Sequence, residues 1–229
     1  MHQEHHVNSS ETIRDIVIGM SDGLTVPFAL AAGLSGAVNA SGIVVTAGMA
    51  EIVAGSIAMG LGGFLAGKTD ADHYNAELKR EYDEVERVPN QEKDEVKEVF
   101  AEFGLSAALQ QQIADEMAKD KDKWVDFMMK YELGLEKPDP NRARKSALTI
   151  GFSYIVGGII PLSPYIFVHN TVEALYYSCG ITLIALFIFG YFKSKLTGQP
   201  PVGGAIRVVV IGALAAAAAF LLARLINNG

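Results

Sequence analysis

The residues of this chain that carry chemistry fall into two sets. The first is a series of acids at helical spacing. Glu77, Glu81 and Glu84 lie at i, i+4 and i+7, on one face of one helix. Glu92, Glu95, Glu98 and Glu102 add pairs three or four apart, and Met128, Met129 and Glu132 follow. Like charges at such spacings repel by about 0.2–0.5 kcal/mol per pair, and a cation held between them reverses the sign. The competing reading is a solvated acidic face. Lys93 and Lys97, interleaved with the acids, favour it. Met128 also shares an apolar stripe with Trp124, Phe127 and Tyr131, whereas Met129 is off that stripe.

The second set lies in apolar surroundings. Asp22 and Glu51 interrupt long hydrophobic runs, and an acid at membrane depth is costly and marks a pathway or a paired site. Asp22 is nine residues into its run, and Met59 is nine residues before Lys68 at the end of the next. Both therefore lie roughly 13 Å below the same surface at 1.5 Å per residue. A carboxylate beside a thioether is a mixed hard and soft ligand set, suited to a transition ion rather than to magnesium or calcium. As a lone residue Met59 also reads as lipid-facing filler.

One motif points elsewhere. Gly62 to Thr69 reads GGFLAGKT and fits the phosphate-loop pattern G-x-x-x-x-G-K-[ST]. That pattern works after a strand and before a helix. Here it ends a run from Gly42 to Gly67, 26 residues with Glu51 as the only formal charge, which reads as a helix that crosses the membrane. The glycines are packing surface and Lys68 an interfacial stop, so no ATP is expected.

These residues need membrane helices to position them. Half of the 229 residues are apolar, yet the net charge is −7. Residues 69–140 hold 20 acids against 10 bases, a net of −10. The rest is apolar with a slight basic excess, and nothing in this balance suits a nucleic-acid partner. Five spans are expected, over about 13–38, 42–67, 146–167, 171–192 and 205–226. The predicted fold is thus an all-α membrane protein, with residues 1–68 holding two spans, an acidic helical insert at 69–140, and three spans in 141–229. Small residues four apart, at Gly19 and Gly23, Ala29 and Gly33, Ala58 and Gly62, and Gly63 and Gly67, let helices approach closely in lipid.

Orientation follows from the bases. The turns at 39–41 and 169–170 contain no Lys or Arg, whereas the other flanks carry Arg14, Lys68, Arg142, Arg144, Lys145, Lys193 and Lys195. This places the N-terminus, the insert and the 193–204 loop in the cytosol, and the C-terminus on the far side. No cleaved signal is expected, since the N-terminus is acidic. His2, His5 and His6 read as a tail rather than a metal site, and Cys179, the sole cysteine, as core. In the insert, breaks at Pro89 and Gly104 predict three helices, at about 70–87, 91–103 and 106–133, the first continuing the second span.

The first span, IVIGMSDGLTVPFALAAGLSG, the second, EIVAGSIAMGLGGFLAG, the paired glutamates and the MMKYE element resemble the vacuolar iron transporter family, plant members in particular, over essentially the whole chain. The resemblance implies a five-span homodimer in the vacuolar membrane that moves Fe2+ from cytosol to vacuole in exchange for protons, without a cofactor and without enzymatic activity. It implies that Asp22 and Met59 form the membrane metal site with Glu51 on the same path. It further implies that Glu81, Glu84, Glu92, Glu95, Met128, Met129 and Glu132 are ligands of a cytosolic metal-binding domain. Mn2+, Co2+ and Zn2+ are the alternative ions, and the insert favours the iron branch. The expected partners are a second copy, divalent ions, protons and lipid. Two rival functions stand beside it, a membrane-anchored di-iron carboxylate enzyme and a non-transporting metal sensor. The enzyme wants Glu-x-x-His on two helices, and the insert has only His73, preceded by Asp70.

Overall fold

The computed structural model describes residues 7–227, with side chains from Glu11 onward; His2, His5 and His6 lie outside this range. Among the described residues all regular secondary structure is helical, with no strand. In order, α1 is Val7–Ala37, α2 Ser41–Arg87, α3 Pro89–Glu102, α4 Ala107–Met117 and α5 Lys121–Phe127. A π-helical turn, Met128–Glu132, follows, then α6 Arg142–Phe167, α7 Thr171–Leu196 and α8 Pro201–Asn227.

Five helices are long and apolar enough to cross a membrane: Glu11–Ala37 within α1, then α2, α6, α7 and α8. Their positions agree with the five expected runs. Local chemistry sets their ends. Asn170 accepts from the backbone N–H groups of Val172 and Glu173 at 3.0 and 3.2 Å, capping α7. Pro201 opens α8 and Pro89 opens α3, at the position where a missing N–H costs nothing.

The chain divides into two compact units, one formed by the segments up to Phe64 and from Ala143, the other by Leu65–Arg142. In the first unit α1 packs against α7 and α8, and α7 against α8. Glycine makes the closest approaches. A Cβ on Gly19 would stand 2.2 Å from the Ile150 carbonyl oxygen, and one on Gly23 2.3 Å from that of Tyr154, so α1 lies directly on α6. A Cβ on Gly33 would stand 3.3 Å from the Ala219 carbonyl oxygen of α8, tighter than ordinary contact, and Gly63 meets Ile150 and Ser146 of α6. Gly62, also expected to be packing surface, has open space where a side chain would go. Buried hydroxyls tie the bundle: Ser178 donates to the Pro161 carbonyl at 2.7 Å, and Ser35 pairs with the Tyr165 hydroxyl at 2.9 Å. Cys179 is a free thiol beside a small apolar core of Phe28, Ala32 and Ala216. Outward positions such as Leu148, Phe152 and Tyr176 are large, apolar or aromatic, and exposed, as a lipid-facing surface requires.

The second unit has its own core, made of Tyr74, Val85, Val96, Ala114, Trp124, Val125, Met128 and Met129. Its first helix is the end of α2, which runs 47 residues without interruption, as the absence of a breaker between Lys68 and Arg87 predicts. The expected single helix over 106–133 is corrected. It is cut at 118–120, where Asp120 leaves helical geometry and its side chain accepts from the Lys123 N–H at 3.2 Å, starting α5. It is cut again by the π-helical turn, closed by the Leu133 N–H on the Met128 carbonyl at 3.1 Å.

Candidate metal sites

In the second unit, helix α2 presents Glu77, Glu81 and Glu84 from one face, α3 presents Glu92 and Glu95, and the π-helical turn carries Met128, Met129 and Glu132. Glu81 and Glu92 are 1 % and 2 % exposed, which for carboxylates demands an explanation. One Glu81 oxygen, Oε2, is buried without a hydrogen-bond partner. Such a group is tolerated when it is protonated or when a cation is brought to it.

Burial and mutual repulsion couple five carboxyls of this unit. Burial first, then Glu84, Glu95 and Glu77, push the Glu81 carboxyl above the usual range, with Arg80 opposing. Glu92 is pushed up to about 7 by burial, then by Glu95, Glu81, Glu84 and Glu132. Glu132, although exposed on its outer side, is also pushed up to about 7, by burial and then by Glu95 and Glu81, with Arg80 opposing. Glu81, Glu84, Glu92, Glu95 and Glu132 thus share one electrostatic neighbourhood. Glu98 and Glu102 do not enter it, although their spacing is equally regular; both are exposed. Among the described residues no three His, Cys, Asp or Glu side chains already stand in chelating geometry.

The lysines that favour a solvated face are occupied elsewhere. Lys93 pairs with Asp115 at 2.8 Å, and Lys97 with Asp94 and the Gln111 side chain. The cation that does serve the cluster is Arg80, 2.9 Å from Glu77 and 3.3 Å from Glu84, a residue the spacing argument overlooked. Its position at i+3 from Glu77 and i−4 from Glu84 was the available signal.

Met128 and Met129 are both fully buried. The placing of Met129 off the stripe is therefore corrected. An α-helix turns consecutive residues 100° apart, and the wider π-helical turn lets both side chains reach the core. Such turns recur at functional sites.

In the first unit, Asp22 is half-buried on α1, and Glu51 and Met59 are half-buried on α2. The Tyr154 hydroxyl of α6 donates to Glu51 Oε1, while Glu51 Oε2 is buried without a partner. Room for the ring comes from Gly55, where a Cβ would stand 2.5 Å from the Tyr154 oxygen. Met59 lies eight residues from Glu51, about 12 Å along α2. Sequence reasoning missed Tyr154. Its signal was a polar-tipped aromatic among Gly151, Gly157 and Gly158 inside a span, where a buried hydroxyl needs a partner.

Comparison with known proteins extends these observations. A model of the VIT family matches residues 13–224. Vacuolar iron transporter 1 of Arabidopsis thaliana is 52% identical over 227 residues, covering 99% of this chain and 91% of that relative. Vacuolar iron transporter 1 of Tulipa gesneriana is 50% identical over 99% of this chain and 92% of its own length. Protein CCC1 of Saccharomyces cerevisiae is 39% identical over 94% of this chain and 69% of its own length.

Proposed function

Because the chain belongs to the VIT family, we propose that it is a vacuolar membrane transporter that moves Fe2+ from the cytosol into the vacuole in exchange for protons. The observation that carries the reading is the gathering of five glutamates, two of them fully buried, beside two buried methionines in the acidic unit. A carboxylate and thioether set of this kind captures a divalent transition ion.

The steps follow from the chain's own groups. The acidic unit, cytosolic in this reading, raises the local concentration of cations. Glu92 and Glu132, with carboxyls pushed up to about 7, carry protons near neutral pH that an arriving ion displaces. Arg80 balances Glu77 and Glu84 while the cluster is empty. The ion then passes to Asp22 and Met59, with Glu51 on the same path. A two-fold axis beside α1 would bring Asp22 and Met59 of both protomers together, and five helices hardly enclose a pore alone. Asp22 releases its proton to the cytosolic side as the ion binds and is reprotonated from the acidic side once the ion has left. Fe2+ is the assigned cargo, with Mn2+, Co2+ and Zn2+ as competitors.

The rival enzyme is not supported at the insert's one histidine: His73 stands 3.9 Å from Glu77 on its own helix, outside the five-carboxyl group. The test is uptake by the purified protein in liposomes with an acidic interior, one ion at a time. Fe2+ entry coupled to proton exit is expected. Metal binding without flux would leave a sensor, and oxygen consumption with Fe2+ would indicate the enzyme.

A further inference from the structure

At the turn from α7 to α8, a cavity of about 200 Å³ lies apart from the proposed path. Lys193, Ser194, Gln199, Gly203 and Arg207 are among its lining residues. Lys193 and Arg207 bring two positive charges that have no carboxylate partner among the described residues. The first turn of α8 adds free backbone N–H groups at Val202 and Gly203, while the Gly204 N–H is used by the Pro200 carbonyl at 3.0 Å. The dipole of this 27-residue helix favours an anion at the same end.

A second observation is independent of the helix end. Ser194 lines the cavity, is 6 % exposed, and its hydroxyl makes no hydrogen bond among the described residues. It is held against Gly204, where a Cβ would stand only 1.7 Å from Oγ. Thr197 behaves differently. Its hydroxyl is 3.0 Å from the Lys193 carbonyl and 3.2 Å from that of Ser194, so it orders the turn instead of facing a ligand. Gly203 has nothing within 4 Å of where its side chain would be, so the space beside the free N–H groups is open.

We propose that this cavity binds a phosphate group. Lys193 and Arg207 supply charge, and the Ser194 hydroxyl and the Gly203 N–H supply neutral donors, a set that matches the several acceptor oxygens of phosphate. The phosphate comes from a phosphorylated lipid headgroup or from free phosphate, and basic pockets between spanning helices suit the former. Basic residues at a span end also arise merely to orient the chain. Lys195 separates the two explanations, because it sits in the same turn but does not line the cavity.

The experiment uses the full chain in phosphatidylcholine nanodiscs. One arm titrates inorganic phosphate by calorimetry, and the other adds phosphatidylinositol phosphate to the lipid and counts retained molecules by native mass spectrometry. Saturable binding in either arm is expected, and the arm that responds identifies the source. Lys193→Gln and Arg207→Gln should each weaken it about tenfold, as loss of a charged hydrogen bond does, and Lys195→Gln should change it less than about twofold. Gly203→Asp places a carboxylate in the open space at a helix start that tolerates it, so it should abolish binding while the melting temperature is kept. Lack of saturation in both arms would overturn the site. So would equal damage from Lys195→Gln, or undiminished binding by a folded Gly203→Asp protein.

Discussion

The Tyr154 hydroxyl on α6 donates its hydrogen bond to Glu51 Oε1 on α2, across 103 positions of sequence, and leaves Glu51 Oε2 buried and unpartnered. Tyr154→Phe deletes the donor and keeps the ring against Gly55. Loss of such a buried bond costs about 1–3 kcal/mol. Iron uptake in liposomes should fall about tenfold, with metal binding to the acidic unit unchanged. Parental uptake by Tyr154→Phe would remove the tyrosine from the path.

Asp22→Asn keeps shape and hydrogen bonding but removes the charge and the exchangeable proton. The variant should fold and still bind metal at the acidic unit, yet lose both iron flux and the coupled proton flux, read by a pH-sensitive dye inside the liposomes. Met59→Ala should weaken discrimination among transition ions more than proton coupling, because a thioether carries no proton. Undiminished iron uptake by Asp22→Asn would move the path elsewhere, toward Glu51.

Replacing Glu81, Glu84, Glu92 and Glu95 with Gln removes mutual repulsion along with the ligands. Calorimetry should show most divalent-ion binding lost, and uptake slowed severalfold but not abolished, since the membrane site is untouched. Unchanged stoichiometry would exclude these residues as ligands.

Acid should stabilise the metal-free protein. Glu92 and Glu132 have carboxyls pushed up to about 7, well above the 4.5 of an ordinary glutamate in an unfolded chain. A carboxyl raised on folding binds more protons in the native state, so its stability contribution declines as pH rises from about 4.5 toward 7. The metal-free protein should therefore melt a few degrees higher at pH 5.5 than at pH 7.5. A divalent transition ion should restore the loss at pH 7.5 with release of protons. A melting temperature that rises with pH over this window, without metal, would contradict the arrangement of these two glutamates.

Much of the candidate site was legible because it rests on periodicity. Glu81 and Glu84 are three apart on one helix, and Glu92 and Glu95 repeat the pattern on the next, so each pair shares a face in any helical fold. Glu98 and Glu102 carry the same signal yet remain outside. Which face of α3 turns inward is decided by where Val96 packs, and it is fully buried in the core with Val85 and Val125. The fate of Lys93 was equally hidden, since its partner Asp115 is 22 positions away on α4.

By itself the sequence determined the five spanning helices, the acidic insert between the second and third, and the unbroken helix that leads from one into the other. Hydropathy, charge and helix breakers are properties of neighbouring residues, and they act before any long-range contact forms. Tertiary structure alone decided that Tyr154 meets Glu51, that Arg80 is the cation among the glutamates, and that a π-helical turn buries Met129 beside Met128. Those outcomes depend on which helix faces pack together, and the hydrogen bonds and burial that select them exist only once the chain has closed on itself.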